Sequence, residues 1–194
     1  MSKKKWSKTD NSTVEGKVKL RRKHLPKNSN VLDLFCGNGN IYKGAYKNNC
    51  NMYVGIDKEK VHSEILCVKQ DNIVFVEHND ISEFNVFDLD AYGCPWELFY
   101  RIIRKLSKKE VIFFITDGLV TFQKMNGNVN KFVSATERIP MGFNIPGINR
   151  FYVDIFATML KDIERRYNYH TEEAKYFHNS KRTVYYWYLK LINK

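Results

Sequence analysis

The stretch VLDLFCGNGN, residues 31–40, constrains this chain most. Val31-Leu32, Asp33 and Leu34-Phe35 run directly into Gly37-Asn38-Gly39. The pattern predicts a buried strand that breaks into a glycine turn and then a helix. Glycines at such a turn let a ligand approach bare backbone. The N-terminus of the next helix offers unpaired N–H groups. Alone, a Gly-x-Gly after a strand is shared by many nucleotide-binding folds. Here it gains weight from the strands and acids that recur downstream of it at regular spacing.

From residue 30 onward, strand and helix alternate. The patterning predicts strands over 31–35, 52–56, 73–77, 86–89 and 111–115, with helices over 41–47, 58–68 and 95–106. Asn40 is a candidate N-cap for the first helix, and Pro95 fits the first turn of the third. A long helix is expected over 152–166, then a hairpin of strands 175–178 and 183–192 around Asn179-Ser180-Lys181. Five alternating strands plus a terminal antiparallel hairpin give an open, doubly wound, Rossmann-like α/β sheet. One domain over 30–194 suits a chain of 194 residues. Residues 117–150, rich in Gly and Pro, are too long for an ordinary connection and form a candidate lid or recognition insertion.

Residues 1–29 read differently, as a basic arm, flexible at least to about Gly16, with Lys17–Leu25 able to order against the body or against a ligand. The net charge of the chain is +11. Much of the excess sits before Pro26, in Lys3, Lys4, Lys5, Lys8, Lys17, Lys19, Arg21, Arg22 and Lys23, against Asp10 and Glu15. Such a cluster suggests a polyanionic partner, with Lys19, Arg21, Arg22 and Lys23 as candidate phosphate contacts. A solvated tail that aids solubility is the alternative. No apolar run reaches the roughly 18 residues of a membrane span, and no apolar core succeeds the basic N-terminus as in a secretory signal. A cytoplasmic location is expected. Cys36, Cys50, Cys67 and Cys94 form no Cys-x-x-Cys pair, which argues for reduced thiols over a zinc site. His62, His78, His170 and His178 are scattered, so no metal is expected.

In open α/β sheets, ligands bind at the carboxyl ends of the strands, near the switch in strand order. Strand one ends in the glycine turn. Strand two ends in Asp57, where a carboxylate can take both hydroxyls of a ribose. The expected third strand is followed by Asn79-Asp80, and the fourth by Asp90-Ala91-Tyr92-Gly93-Cys94-Pro95. Asp33 could equally be a buried acid satisfied by backbone amides, and Asp80 could cap the turn that begins at Ile81.

The turn FCGNG, the acid in VGID and the later VEHND together resemble motifs one to three of class I S-adenosylmethionine-dependent methyltransferases. The match to D-x-F-x-G-x-G falls on Asp33, Phe35, Gly37 and Gly39, with Cys36 at a variable place, and the likeness spans about residues 30–190. It implies the class I methyltransferase fold and S-adenosyl-L-methionine as cofactor. It also implies that Asp57 holds the ribose, that Asp80 meets the adenine amine, and that Cys36–Gly39 cradles the methionine part. A dinucleotide enzyme would usually carry a third glycine where this chain has Tyr42.

The run DLDAYGCP is similar to the D-x-D-P-F-G-S-P run of tRNA guanine N2-dimethyltransferases, and more loosely to the D/N-P-P-Y/F of amino-directed DNA and RNA methyltransferases. On that match Asp90 is the catalytic-site acid and Tyr92 the aromatic that packs on the target base. Ala91 stands where both patterns have proline, and the large C-terminal domain of the tRNA enzymes has no counterpart here. The expected activity is methylation of an exocyclic amine on a nucleic-acid base, RNA before DNA. A DNA amino-methyltransferase and a non-catalytic nucleic-acid-binding module are the alternatives. A C5 methylation using Cys94 as nucleophile is a further one, although the order here is Cys-Pro rather than Pro-Cys.

Overall fold

The computed structural model describes residues 13–59, 65–91, 93–118 and 148–194. Within them lies a seven-stranded sheet in the order β3-β2-β1-β4-β5-β7-β6. The strands are β1 (Asn30–Asp33), β2 (Met52–Asp57), β3 (Cys67–Lys69), β4 (Val86–Leu89), β5 (Glu110–Asp117), β6 (Tyr169–His178) and β7 (Tyr185–Asn193). The first five are mutually parallel, and β7 runs antiparallel between β5 and β6. Buried on both faces, β4 and β5 are nearly continuous apolar runs, as parallel strands under helices must be.

The two faces have different partners. Leu32, Phe87, Leu89, Phe113, Ile115, Trp187 and Leu189 pack with α2 (Asn72–His78), α3 (Trp96–Lys105) and α4 (Ile148–Arg166). Phe156 of α4 stacks flat on Trp187, with ring centroids 3.5 Å apart. Asp117, the last residue of β5, is buried here and accepts hydrogen bonds from Trp96 Nε1 at 2.6 Å and the Tyr152 hydroxyl at 2.5 Å. The opposite face carries Val31, Val86, Ile112, Phe114 and Tyr188 beneath a π-helix (Tyr42–Tyr46) and α1 (Val14–His24).

Three expectations are corrected. The third strand is Cys67–Lys69, which overlaps the end of the segment expected to be helical, 58–68. The segment expected as that strand is instead α2: the Asp71 side chain caps it by accepting from the amides of Ile73 and Val74, and Phe75 and Val76 face the core. An N-cap and two core contacts outweigh the β-branched composition of NIVFV. The third concerns the arm, whose Arg21 is a candidate phosphate contact. From Val14 to His24 it is a helix seated on the sheet, with Arg21 only 1% exposed. Its seat is close: a Cβ on Gly44 of the π-helix would come within 2.6 Å of Val18 Cγ2. Residues 1–12 and most of the 117–150 segment, from 119 to 147, lie outside the described residues.

Candidate active site

β1 is flanked by β2 and β4, so the sheet changes direction there, and its carboxyl end is where such folds bind ligands. Gly37 and Gly39 in the turn after β1 have φ of +48° and +70°, a region that side chains rarely adopt. The amide of Gly37 donates to Asp57 Oδ2 at 2.9 Å, and the amide of Glu59 donates to Oδ1, also at 2.9 Å. Asp57, at the end of β2, thus fixes the turn from across the strand gap. A Cβ on Gly37 would point into the space beside that carboxylate, 4.0 Å from Oδ2. The turn and Asp57 therefore form a cradle that any side chain at position 37 would fill.

Asp33 lies under this turn. It is 2% exposed and accepts from the Tyr53 hydroxyl at 2.8 Å and the Phe35 amide at 3.0 Å. Burial, and then the nearby Asp88, push its carboxyl well above the ordinary carboxylate range. Asp33 supports the backbone of Phe35 from below rather than opening toward solvent. Cys36 is buried in the space left by Gly55, where a Cβ would lie 2.8 Å from that of Cys36. Its Sγ is 2.9 Å from Cys67 Sγ, and its thiol is shifted upward, first by burial and then by the bond to Cys67.

Asp80 is not at a strand end. It lies beyond α2, is exposed, and its Oδ1 accepts from the amide of Ser82 at 2.8 Å. Because β3 is Cys67–Lys69, the acid at the carboxyl end of the third strand is Asp71. The sequence signal for it was a short acid directly before an apolar run, the usual mark of a helix N-cap.

On the other side of β1, Asp88 and Asp90 of the β4 segment face α1. Asp88 is fully buried and receives Arg21 in a bidentate pair, Nε to Oδ2 at 2.5 Å and Nη2 to Oδ1 at 2.6 Å. The Tyr46 hydroxyl adds a third donor at 2.5 Å. Burial disfavours the Arg21 charge, but Asp88, together with Tyr46 and Asp90, more than offsets this and raises its pKa well above the ordinary value. Arg21 is therefore not a phosphate contact. Arg22 donates through Nε to the Gly44 carbonyl at 2.6 Å, while Lys19 and Lys23 stand on the exposed side of α1.

Asp90 accepts from Lys17 Nζ at 2.6 Å and from the Thr116 hydroxyl, both at Oδ1. Burial alone would raise this carboxyl, but Lys17 and then Arg21 hold it below its ordinary value. Tyr92, the expected stacking aromatic, lies outside the described residues. The loop beyond it is tied to β5: the Gly118 amide donates to the Gly93 carbonyl at 2.8 Å, and Gly93 has φ of +111°. The Cys94 thiol is shifted upward, mainly by burial and next by Asp117, which opposes a role as nucleophile.

Among the described residues no three His, Cys, Asp or Glu side chains gather as a metal site, and no helix is long and apolar enough to cross a membrane.

No family model and no curated protein matches this sequence. Solved structures do match it. M. jannaschii TYW2 in complex with AdoMet aligns with a TM-score of 0.58 at 11% identity, over 99% of this chain and 80% of the other. Burkholderia thailandensis 1,6-didemethyltoxoflavin-N1-methyltransferase, with bound 1,6-didemethyltoxoflavin and S-adenosylhomocysteine, gives 0.56 at 10% identity over 96% and 80%. The M. jannaschii tRNA m1G37 methyltransferase gives 0.53 at 13% identity, over 93% of this chain and 49% of the other. With the strand order and the antiparallel β7, these likenesses show that the chain has the α/β class I methyltransferase fold.

Proposed function

We propose that this protein is an S-adenosylmethionine-dependent methyltransferase acting on an exocyclic amine of a nucleic-acid base, RNA before DNA, in the cytoplasm. The observation that carries the reading is the juxtaposition across β1: a glycine cradle facing Asp57 on one side, and Asp90 at the end of β4 on the other. Neighbours of the same fold are solved with AdoMet or S-adenosylhomocysteine, and one is a tRNA methyltransferase.

The cradle fits the cofactor. Asp57 would take the ribose hydroxyls, the backbone of Cys36–Gly39 the methionine part, and the segment after β3, at Asp71 rather than Asp80, the adenine side. When bound, the cofactor would supply a sulfonium methyl: the amine lone pair would form the N–CH3 bond as the S–CH3 bond breaks and leaves its electrons on sulfur, and the methylated nitrogen would release one proton to water. An exocyclic amine is a poor nucleophile because its lone pair is delocalised into the ring. Asp90 accepts one amine N–H and so localises the lone pair on nitrogen, while Tyr92 packs on the base. Such positioning contributes more than proton abstraction alone. A base within a duplex is extruded first. Lys19, Arg22 and Lys23 supply exposed positive charge for the phosphates.

The test is tritiated methyl transfer from S-adenosylmethionine to tRNA, rRNA and DNA side by side, with mass spectrometry of the digested nucleosides. An N-methylated base that disappears with Asp90→Asn supports the reading. A C5-methylated pyrimidine abolished by Cys94→Ala, or no transfer to any of the three, refutes it.

A further inference from the structure

We propose that Lys17 is a positioning residue for this reaction: with the Thr116 hydroxyl it holds one oxygen of Asp90 and so presents the other to the acceptor amine. The inference rests on the proposed role of Asp90 in methyl transfer, and it assigns a task to the helix that precedes the glycine turn.

Lys17 Nζ and Thr116 Oγ1 converge on the same oxygen, Oδ1 of Asp90. Among the described residues, no hydrogen bond reaches Oδ2. The two donors come from different elements, α1 over the sheet face and β5 in the neighbouring strand, so together they hold Oδ1 in place. The Asp90 side chain is 16% exposed, enough to meet a ligand and too little to rotate freely. Lys17 is itself held. Its side chain is 16% exposed, and Nζ lies 5.3 Å from the centroid of the Tyr186 ring. One turn further along α1, Arg21 fastens the helix to Asp88 and donates through Nη1 to the Lys17 carbonyl at 3.2 Å.

The charges around Asp90 make Lys17 its specific partner. From β1 comes Asp33 and from its own strand Asp88, both acidic; from α1 come Lys17 and Arg21; from the π-helix comes Tyr46; from β5 comes the neutral Thr116. Arg21 and Tyr46 are engaged by Asp88. Lys17 is thus the cation that contacts Asp90 directly, and it keeps the carboxylate ionised beside two other acids. A carboxylate so held is a weak base and a good acceptor, which is what orienting an amine requires.

The experiment compares full-length wild type, Lys17→Met, Lys17→Arg and Thr116→Val. Methyl transfer to tRNA, rRNA and DNA is measured across pH, with S-adenosylhomocysteine affinity by calorimetry. Independently, the Asp90 carboxyl is titrated by carbon NMR on aspartate-labelled protein, assigned with Asp90→Asn. In Lys17→Met, kcat is expected to fall at least about tenfold, and the acid limb of the profile to move up by about 1–3 pH units, the range for loss of an adjacent opposite charge. Lys17→Arg restores most of both. Thr116→Val lowers kcat and leaves the limb near wild type. S-adenosylhomocysteine affinity stays within about twofold throughout, as for groups outside the cofactor cradle. If Lys17→Met keeps the wild-type limb and carboxyl titration, Lys17 does not position Asp90 and the inference fails. If Asp90 titrates as expected but wild type methylates none of the three, the reading of the site fails, and the role of the pair in methyl transfer fails with it.

Discussion

Replacing Arg21 with Met removes the charge at the centre of the α1 seat while keeping an unbranched apolar stem. Arg21 is 1% exposed and Asp88 0%, so neither group can turn to water when the other is lost. After the substitution Asp88 keeps the Tyr46 hydroxyl but loses both guanidinium bonds. It is left as a buried carboxylate close to Asp33 and Asp90. Breaking a buried pair by removing one partner costs about 3–5 kcal/mol, because the remaining charge is uncompensated. That is a large share of a total stability of about 5–15 kcal/mol. For a chain of this size, each kcal/mol shifts Tm by roughly 2–4 °C, so the melting temperature is expected to fall by about 6–20 °C. The assay is calorimetric or circular-dichroism melting, with urea unfolding as the second measure. Adding Asp88→Asn to Arg21→Met should restore about 0.5–3 kcal/mol, the coupling expected of groups in contact. A loss below about 1 kcal/mol in the single variant, or no recovery in the double, would mean that α1 is not seated by this pair.

The cofactor cradle separates two acids: Asp57→Ala is expected to weaken S-adenosylhomocysteine binding at least about tenfold, or 1.4 kcal/mol, by calorimetry, whereas Asp80→Ala leaves it unchanged. Equal losses in both variants would return Asp80 to the site. The raised carboxyl of Asp33 has a pH signature. Between the ordinary carboxylate range and its folded value, the native state binds a proton that the unfolded chain has released, so this group's contribution to stability falls as pH rises through that window. The stability of wild type relative to Asp33→Asn should therefore decline with rising pH, and a difference that grows with pH contradicts the assignment. Deleting residues 1–12 removes Lys3, Lys4, Lys5 and Lys8 without touching α1. Salt dependence of RNA binding should flatten by up to about 0.9 in log–log slope per lost phosphate contact, and an unchanged slope would make the segment a solubility tail.

Most of the sheet and half of the site are legible in the sequence. VLDLF, VFDL and VIFFI read as buried parallel strands because only a backbone covered on both faces tolerates such runs. The glycine turn and Asp57 are legible because positive φ and a charge that ends an apolar strand leave few alternatives. The third strand is not. Cys67–Lys69 is three residues long and carries no period, while NIVFV imitates a strand and is turned into a helix by the Asp71 cap and by burial of Phe75 and Val76. The misplacement of Asp80 stems from that one error of register.

The arm separates what the sequence determined from what tertiary structure decided. The sequence determined that KVKLRRK is strongly basic, and charge alone points outward to a polyanion. Only the folded chain sorts those charges. One turn of helix apart, Lys17 and Arg21 fall on the face turned toward β4, where Asp88 and Asp90 wait among apolar walls, while Lys19 and Lys23 remain exposed. An ion pair across 67 or 73 residues leaves no mark in local spacing. It forms because the sheet brings two acids under one helix, where the cations of that helix offset the cost of burying them.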